Sequence, residues 1–308
     1  MTHIKIATRR SPLALWQAEF IASELERIDP TVKTELVKIA TRGDKILDVP
    51  LAQVGGKGLF TKEIDEALFD GRANIAVHSM KDVPTVLPAG TSIRALPKRE
   101  DPRDAIATTT GGNLDSLPEG ATIGTSSLRR VAQIRAQFPS FQFTSIRGNI
   151  QTRLSKLGKQ VDAVILAAAG VHRMGLADQM HDFIDTGIML PAVAQGTLGV
   201  QTRDTDNVIN ALVDQLNDAD TVVRTKAERA FLARLEGGCQ VPIAAFATID
   251  GDTLHLKGLV GTVDGSVLIA RECSGTSSDA ERMGINLADE ILDAGGRPIL
   301  EALYAEQR

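Results

Sequence analysis

Residues 73–84 run from an apolar strand straight into a polar cluster that holds His78, Lys81 and Asp82. Ile75, Ala76 and Val77 are the small or β-branched residues that a strand buried on both faces requires, and Pro84 limits any continuation. Asp82 is therefore expected at the strand's exit. Ligands of open α/β sheets gather beyond the carboxyl ends of strands, which places this carboxylate for chemistry; its position alone also fits a turn cap or a surface pair with Lys81. Positive groups recur at other expected strand ends: Arg9 and Arg10, Arg42, Lys57, Arg129 and Arg130, Arg147 and Arg153, and Arg173. Guanidinium forks suit bidentate pairing with carboxylates or phosphates, and Ser11, Thr125, Ser126 and Ser127 add donors at helix starts. Singly, each arginine reads as a solvated surface charge. As a set they imply a polyanionic ligand.

Three ligand classes compete. A net charge of −5, one Trp and one Tyr disfavour nucleic acid, which needs an electrostatic footprint and aromatic stacking platforms. Gly55-Gly56-Lys57-Gly58 lacks phosphate-loop spacing and its Ser/Thr, so a nucleotide is weakly supported. A small molecule with several carboxylates fits best. Cys239 lies in a glycine-flanked stretch and is expected to be accessible, as either an attachment point or an incidental loop thiol. Cys273 lies in a strand-like run and is expected to be packed. The two form no CxxC, which suggests neither a disulfide framework nor a zinc site, and no metal is expected.

The elements that must position these residues come in layers. The 308 residues, 43% hydrophobic and 24% charged, suit a folded chain of two or three domains. No signal-peptide hydrophobic region precedes the first strand, and the longest apolar run, Ala163 to Val171, is too short to cross a bilayer. A cytoplasmic location is expected, with no membrane partner. Strands are expected over 3–8, 35–40 and 75–82. Between them lie a helix from Pro12, with a face of Leu13, Trp16, Phe20, Ile21, Leu25 and Ile28, and another over 61–69. Strand, helix, strand, helix, strand is the signature of a mostly parallel sheet. The charged, proline-broken stretch Leu96 to Asp104 reads as a linker. A second α/β pattern follows, with strands over 121–124, 141–146 and 162–167 and Thr125-Ser126-Ser127 capping a helix over 128–138. Beyond Asp218 a helix over 219–235 leads into three antiparallel strand-like runs, with turns at Asp250-Gly251 and Asp264-Gly265, and then terminal helices.

These motifs together resemble the porphobilinogen deaminase family over essentially the whole chain. The resemblance is carried by residues 7–18 (Ala-Thr-Arg-Arg-Ser-Pro-Leu-Ala-Leu-Trp-Gln-Ala), Thr41 to Asp44, Gly55 to Phe60, and Ala76 to Pro84. It continues through Arg99 to Asp104, Gly124 to Arg130, Arg147 to Asn149, and Arg234 to Pro242. It implies an α/β fold with two periplasmic-binding-protein-like (type II) domains flanking a cleft, plus a small C-terminal α+β domain with a three-stranded antiparallel sheet. Domain 1 would comprise 1–96 and 197–216, domain 2 would be 97–196, and domain 3 would be 217–308.

The activity implied is that of a transferase in tetrapyrrole biosynthesis. Four porphobilinogen molecules join head to tail, with loss of ammonia, on a dipyrromethane cofactor held through a thioether, and hydroxymethylbilane is released. By match, Cys239 would carry the cofactor. Asp82 would stabilise the azafulvene-like cation left when ammonia departs. Arg9, Ser11, Lys57, Phe60, Lys81, Thr125, Ser127, Arg129, Arg130, Arg147, Arg153, Arg173 and Gln195 would form the cofactor and substrate site, the cations pairing with acetate and propionate arms. A monomer is expected. The sequence departs from the family's pattern at Gln53, where a lysine follows Leu-Ala in relatives, at Ala194 and Thr197 around Gln195-Gly196, and at Gln201, where an acid is common. The competing class is a non-catalytic two-lobed binding protein for organic polycarboxylates.

Overall fold

The computed structural model describes residues 2–45, 61–237 and 241–305. Lys57, Phe60, Gln53 and Cys239 lie outside the described residues. The described residues up to Glu100, with Thr197–Val222, form one compact unit; Asp101–Gly196 and those from Val223 onward form a second.

The first unit is built on a five-stranded sheet ordered β2-β1-β3-β10-β4, from β1 (Thr2–Arg9), β2 (Val32–Ile39), β3 (Ile75–Ser79), β4 (Thr91–Ala95) and β10 (Leu198–Arg203). Strands β1, β2 and β3 are parallel, whereas β10 runs antiparallel to both neighbours. Ile4, Ile6, Ile75, Val77 and Val200 pack with Ala18, Ile21 and Leu25 of the helix Pro12–Ile28. Ala7 and Ala76 face the other way, with Ile64, Ala67 and Leu68 of the helix Lys62–Phe69. Both faces are thus covered, at roughly 1.5–3 kcal/mol for each large side chain buried. The first helix turns differently from its expected face. Gln17, Ala18, Ile21 and Leu25 are buried, while Phe20 is 37% exposed and stacks on Trp16 at 5.6 Å.

In the second unit, β5 (Asp104–Thr108), β6 (Thr122–Gly124), β7 (Gln142–Thr144), β8 (Ala163–Ala167) and β9 (Asp182–Ile184) are ordered β7-β6-β8-β5-β9. The pattern repeats that of the first sheet. A parallel trio is followed by a strand, here β5, antiparallel to both neighbours. The sheets are therefore mixed rather than mostly parallel. Periodicity does not announce strands β4, β5, β9 and β10, because they are short, polar at their ends or set against prolines, and their pairing is long-range.

The same unit contains a meander of β11 (Ile243–Asp250), β12 (Thr253–Gly261) and β13 (Leu268–Thr276). It is packed by the helices Ala219–Arg234 and Ala280–Ile291. Those helices meet backbone to backbone, since a Cβ on Gly284 would lie 2.3 Å from the Ala227 carbonyl oxygen. The β12–β13 turn lies equally close to the helix Leu128–Gln137. A Cβ on Gly265 would come within 2.6 Å of the Ala132 carbonyl oxygen, and Gly265 also needs its φ of +71°. This close approach groups the meander with the second sheet in one unit.

Candidate active site

In the first unit the polar cluster is set by the end of β3. The strand stops at Ser79, and one 3₁₀ turn, Met80–Asp82, follows. Met80 and Val83 are 2% and 4% exposed, and the Val83 N–H donates to the Met80 carbonyl at 3.2 Å. The buried residues at either end of the turn leave Lys81 half-buried and Asp82 exposed. The turn is also tied to its neighbours. Met80 N–H donates to the Thr197 carbonyl at 3.0 Å, and the Gln17 amide donates to the Ser79 hydroxyl at 2.9 Å. Gly199 of β10 leaves room for Met80, whose sulfur would be 2.2 Å from a Cβ at that position. Arg9 ends β1 and, by continuation of the Ala7–Ala76 register, stands level with His78. Ser11 caps the first helix by accepting from the Ala14 N–H.

Beneath Asp82, His78 is 7% exposed, and its Nε2 lies 2.8 Å from Gln201 Oε1. Gln201 donates its amide to Asp65 Oδ1 at 2.8 Å and to the Thr91 hydroxyl at 3.0 Å. That orientation puts the histidine proton on Nε2. Burial drives the His78 pKa down to about 4, against smaller upward pulls from Gln201 and Asp82 and a downward push from Arg9. The imidazole is neutral at physiological pH. Because the unfolded side chain titrates near 6.5, the unfolded chain takes up a proton that the folded site refuses, and stability should fall as pH drops from about 6.5 to about 4, by up to roughly 3 kcal/mol from this group. Urea unfolding at both ends of that window would measure it. A His78→Gln chain with an undiminished pH slope would exclude His78 as the source.

The second unit carries Arg129, Arg130, Arg147, Arg153 and Arg173, with donors again beyond the carboxyl ends of parallel strands. Thr125 and Ser127 follow β6, Arg147 follows β7, and the helix Ala168–Arg173 follows β8. Ser127 occupies the N-cap position of the helix Leu128–Gln137, but its side chain makes no capping hydrogen bond. The stretch Thr125-Ser126-Ser127 thus supplies the N-cap residue expected of it without a side-chain cap at that residue. The Ser127 hydroxyl and the first-turn N–H groups make a donor set suited to an anion. Thr125 is buried, and its hydroxyl accepts from the Ser127 N–H at 3.2 Å. Arg153 Nε donates to the Gly148 carbonyl at 2.9 Å, Arg147 is half-buried, and Arg173 donates to the Gly196 carbonyl at 2.7 Å.

Arg129 and Arg130 are not the solvated surface charges that each arginine, taken singly, would be. They are 4% and 6% exposed and converge on Asp104, which is 0% exposed. Burial works to raise the Asp104 pKa, but the two guanidiniums outweigh it and hold the carboxyl well below its usual range. Gln195 joins them, donating to Asp104 Oδ1 at 2.9 Å and to the Pro102 carbonyl at 2.7 Å. Sequence reasoning missed Asp104 by assigning it to the linker. The signal was an acid opening the apolar run Ala105-Ile106-Ala107 in a chain with tandem arginines.

Two family models match the chain: "Porphobilinogen deaminase, dipyromethane cofactor binding domain" over residues 4–211 and "Porphobilinogen deaminase, C-terminal domain" over residues 222–293. The chain belongs to the porphobilinogen deaminase family. As a family member it is a transferase of tetrapyrrole synthesis, joining porphobilinogen head to tail on a dipyrromethane cofactor to give hydroxymethylbilane. The architecture is two five-stranded mixed sheets of the same pattern and, within the part matched by the C-terminal family model, a three-stranded antiparallel sheet.

Solved structures also resemble it. The Bordetella pertussis BvgS periplasmic VFT2 domain is 14% identical, covering 70% of this chain and 86% of that chain, with a TM-score of 0.40. The methionine binding protein MetQ is 13% identical, covering 71% and 91%, with a TM-score of 0.45. The substrate binding domain of a putative molybdenum ABC transporter from Clostridium difficile is 9% identical, covering 71% and 93%, with a TM-score of 0.43. The donor set in the second unit fits the cofactor: arginines, a buried threonine and an uncapped helix start match its acetate and propionate arms in chemistry. No helix among the described residues is long and apolar enough to cross a membrane.

Proposed function

We propose that the chain is a hydroxymethylbilane synthase in which Asp82 is the catalytic carboxylate and Cys239 the cofactor attachment point. In this reading the cofactor and substrate arms are held by Arg9, Lys81, Ser127, Arg129, Arg130, Arg147 and Arg153, with Ser11, Lys57, Phe60, Thr125, Arg173 and Gln195 completing the site. The observation that carries it is the turn Met80–Asp82, which is anchored by buried residues and leaves a carboxylate exposed beside a neutral, buried histidine.

Loss of ammonia from the substrate's aminomethyl group leaves positive charge conjugated through the pyrrole N–H. Asp82 would accept that N–H and stabilise the charge as it develops, with no reorganisation needed at the moment of reaction. A neutral His78 keeps a further cation away from that charge. The cofactor, when bound, supplies the free pyrrole α-carbon from which the chain grows. Arginines on substrate carboxylates would fix the direction of joining and turn binding energy into orientation.

The division into 1–96 with 197–216, 97–196 and 217–308 belongs to the same proposal. So do a cytoplasmic, monomeric enzyme and the absence of nucleic-acid or membrane partners. Purified protein mixed with porphobilinogen should release one ammonia for every pyrrole joined, and a linear tetrapyrrole should accumulate in step. Binding of porphobilinogen without ammonia release would leave only a binding protein.

A further inference from the structure

Asp104 opens β5 out of contact with solvent. Its Oδ1 accepts from Arg130 Nη2 at 2.7 Å, Gln195 Nε2 at 2.9 Å and Arg129 Nη2 at 3.2 Å. Its Oδ2 is in ion-pair contact with Arg129 Nη1 at 2.8 Å but receives no aligned hydrogen bond. The remaining Nη1 donors reach main-chain carbonyls, Arg129 to Leu190 at 2.5 Å and Arg130 to Ile165 at 2.9 Å. Gln133 also holds Leu190, donating to its carbonyl at 3.1 Å and accepting from its N–H at 2.8 Å. The Nε of each arginine is buried and has no partner.

The charge count is unequal. Two guanidiniums face one carboxylate, and the charges acting on Asp104 are those same two guanidiniums. One positive charge is therefore left uncompensated in a setting nearly closed to water, where an unbalanced ion is costly. A surface pair would be screened by solvent and salt; a buried one is screened far less.

We infer that Asp104 is a positioning residue for carboxylate binding: it fixes Arg129 and Arg130 by their Nη ends and leaves the pair one negative charge short, which an acetate or propionate arm completes. The inference rests on the proposed role of Arg129 and Arg130 in ligand binding. It gives Asp104 a function distinct from holding the fold, because it sets the charge that an incoming anion meets. Without it the pair would carry two positive charges, repel internally and grip an anion too tightly to release it; with a second internal acid the attraction would vanish.

The test is a charge series in the cofactor-bound enzyme, with inorganic phosphate as the probe, its binding read by calorimetry without porphobilinogen as well as by competition against it. The net charge at the cluster is +2 in Asp104→Asn, +1 in the native chain, +1 in the double variant Asp104→Asn with Arg129→Gln, and 0 in Arg129→Gln. The phosphate inhibition constant should follow that order, at least tenfold tighter in Asp104→Asn than in the native enzyme. It should also be at least tenfold tighter in the double variant than in Arg129→Gln. A role confined to the fold predicts the reverse, with each added substitution weakening binding further. An Asp104→Asn enzyme that binds phosphate no tighter than the native one overturns the inference. If that variant does not fold, the double variant against Arg129→Gln decides, and equal or weaker phosphate binding in the double variant overturns it. Arg130→Leu separates the two levels of argument. An unchanged KM for porphobilinogen there defeats the ligand-binding role of the arginines, whereas a raised KM with a flat charge series defeats only the role given to Asp104.

Discussion

An Asp82→Asn enzyme should turn over porphobilinogen about 10²- to 10³-fold more slowly than the native chain, with KM changed only a few-fold. Asparagine keeps the size and one carbonyl oxygen but removes the negative charge that opposes the cation formed as ammonia leaves. The loss should therefore fall on the chemical step, and single-turnover release of ammonia would isolate it. Folding should be untouched. Asp82 is exposed and makes no hydrogen bond or ion pair among the described residues, whereas Met80 and Val83 anchor the turn. Exposed substitutions of that kind stay within about 0.5 kcal/mol. A melting temperature well below native would mean that the carboxylate supports the turn, and near-native ammonia release would remove Asp82 from the mechanism.

A Cys239→Ser chain should emerge at its bare sequence mass and lose turnover by about 10³-fold or more, because a tethered reactant becomes a free one. Serine's hydroxyl is a far weaker nucleophile than a thiolate at neutral pH, so the thioether should not be replaced by an ether. The native chain should be heavier than its sequence by one dipyrromethane. Both flanks of this position are firmly packed. A Cβ on Gly237 would come 2.6 Å from Ile243 and 2.7 Å from Leu232, the Gly237 N–H donates to the Leu232 carbonyl, and Val241 is 3% exposed. Cys273 offers no substitute, since it lies in β13 with its thiol pKa raised by burial. Intact mass spectrometry of both proteins decides the matter, and added mass that persists in Cys239→Ser would move the attachment elsewhere.

Several features of the site were legible before any coordinates. Ser11-Pro12 announced a helix start, and Ser11 does cap it. The β-branched run before His78 announced a buried strand, and the turn that follows it leaves Asp82 exposed. Asp250-Gly251 and Asp264-Gly265 announced the turns of a meander, because positive φ at glycine is a local demand. Gln201 is the intermediate case. Its departure from the family's acid was visible in the sequence, but the reason it matters, a buried amide linking His78 to Asp65, was not.

The sequence alone determined the inventory: strand-ending cations, a carboxylate after an apolar strand, a lone thiol among glycines, and the family to which this combination belongs. Local rules of turn, cap and periodicity act within a few residues, so these could be read in order along the chain. Tertiary structure alone decided that Arg129 and Arg130 turn inward onto Asp104, about 25 residues away in sequence, and that β10 returns antiparallel beside β3. Those outcomes depend on which distant charges and strands share a buried space. The cost of burying an unpaired ion or an unpaired strand edge is settled only when the whole chain has folded.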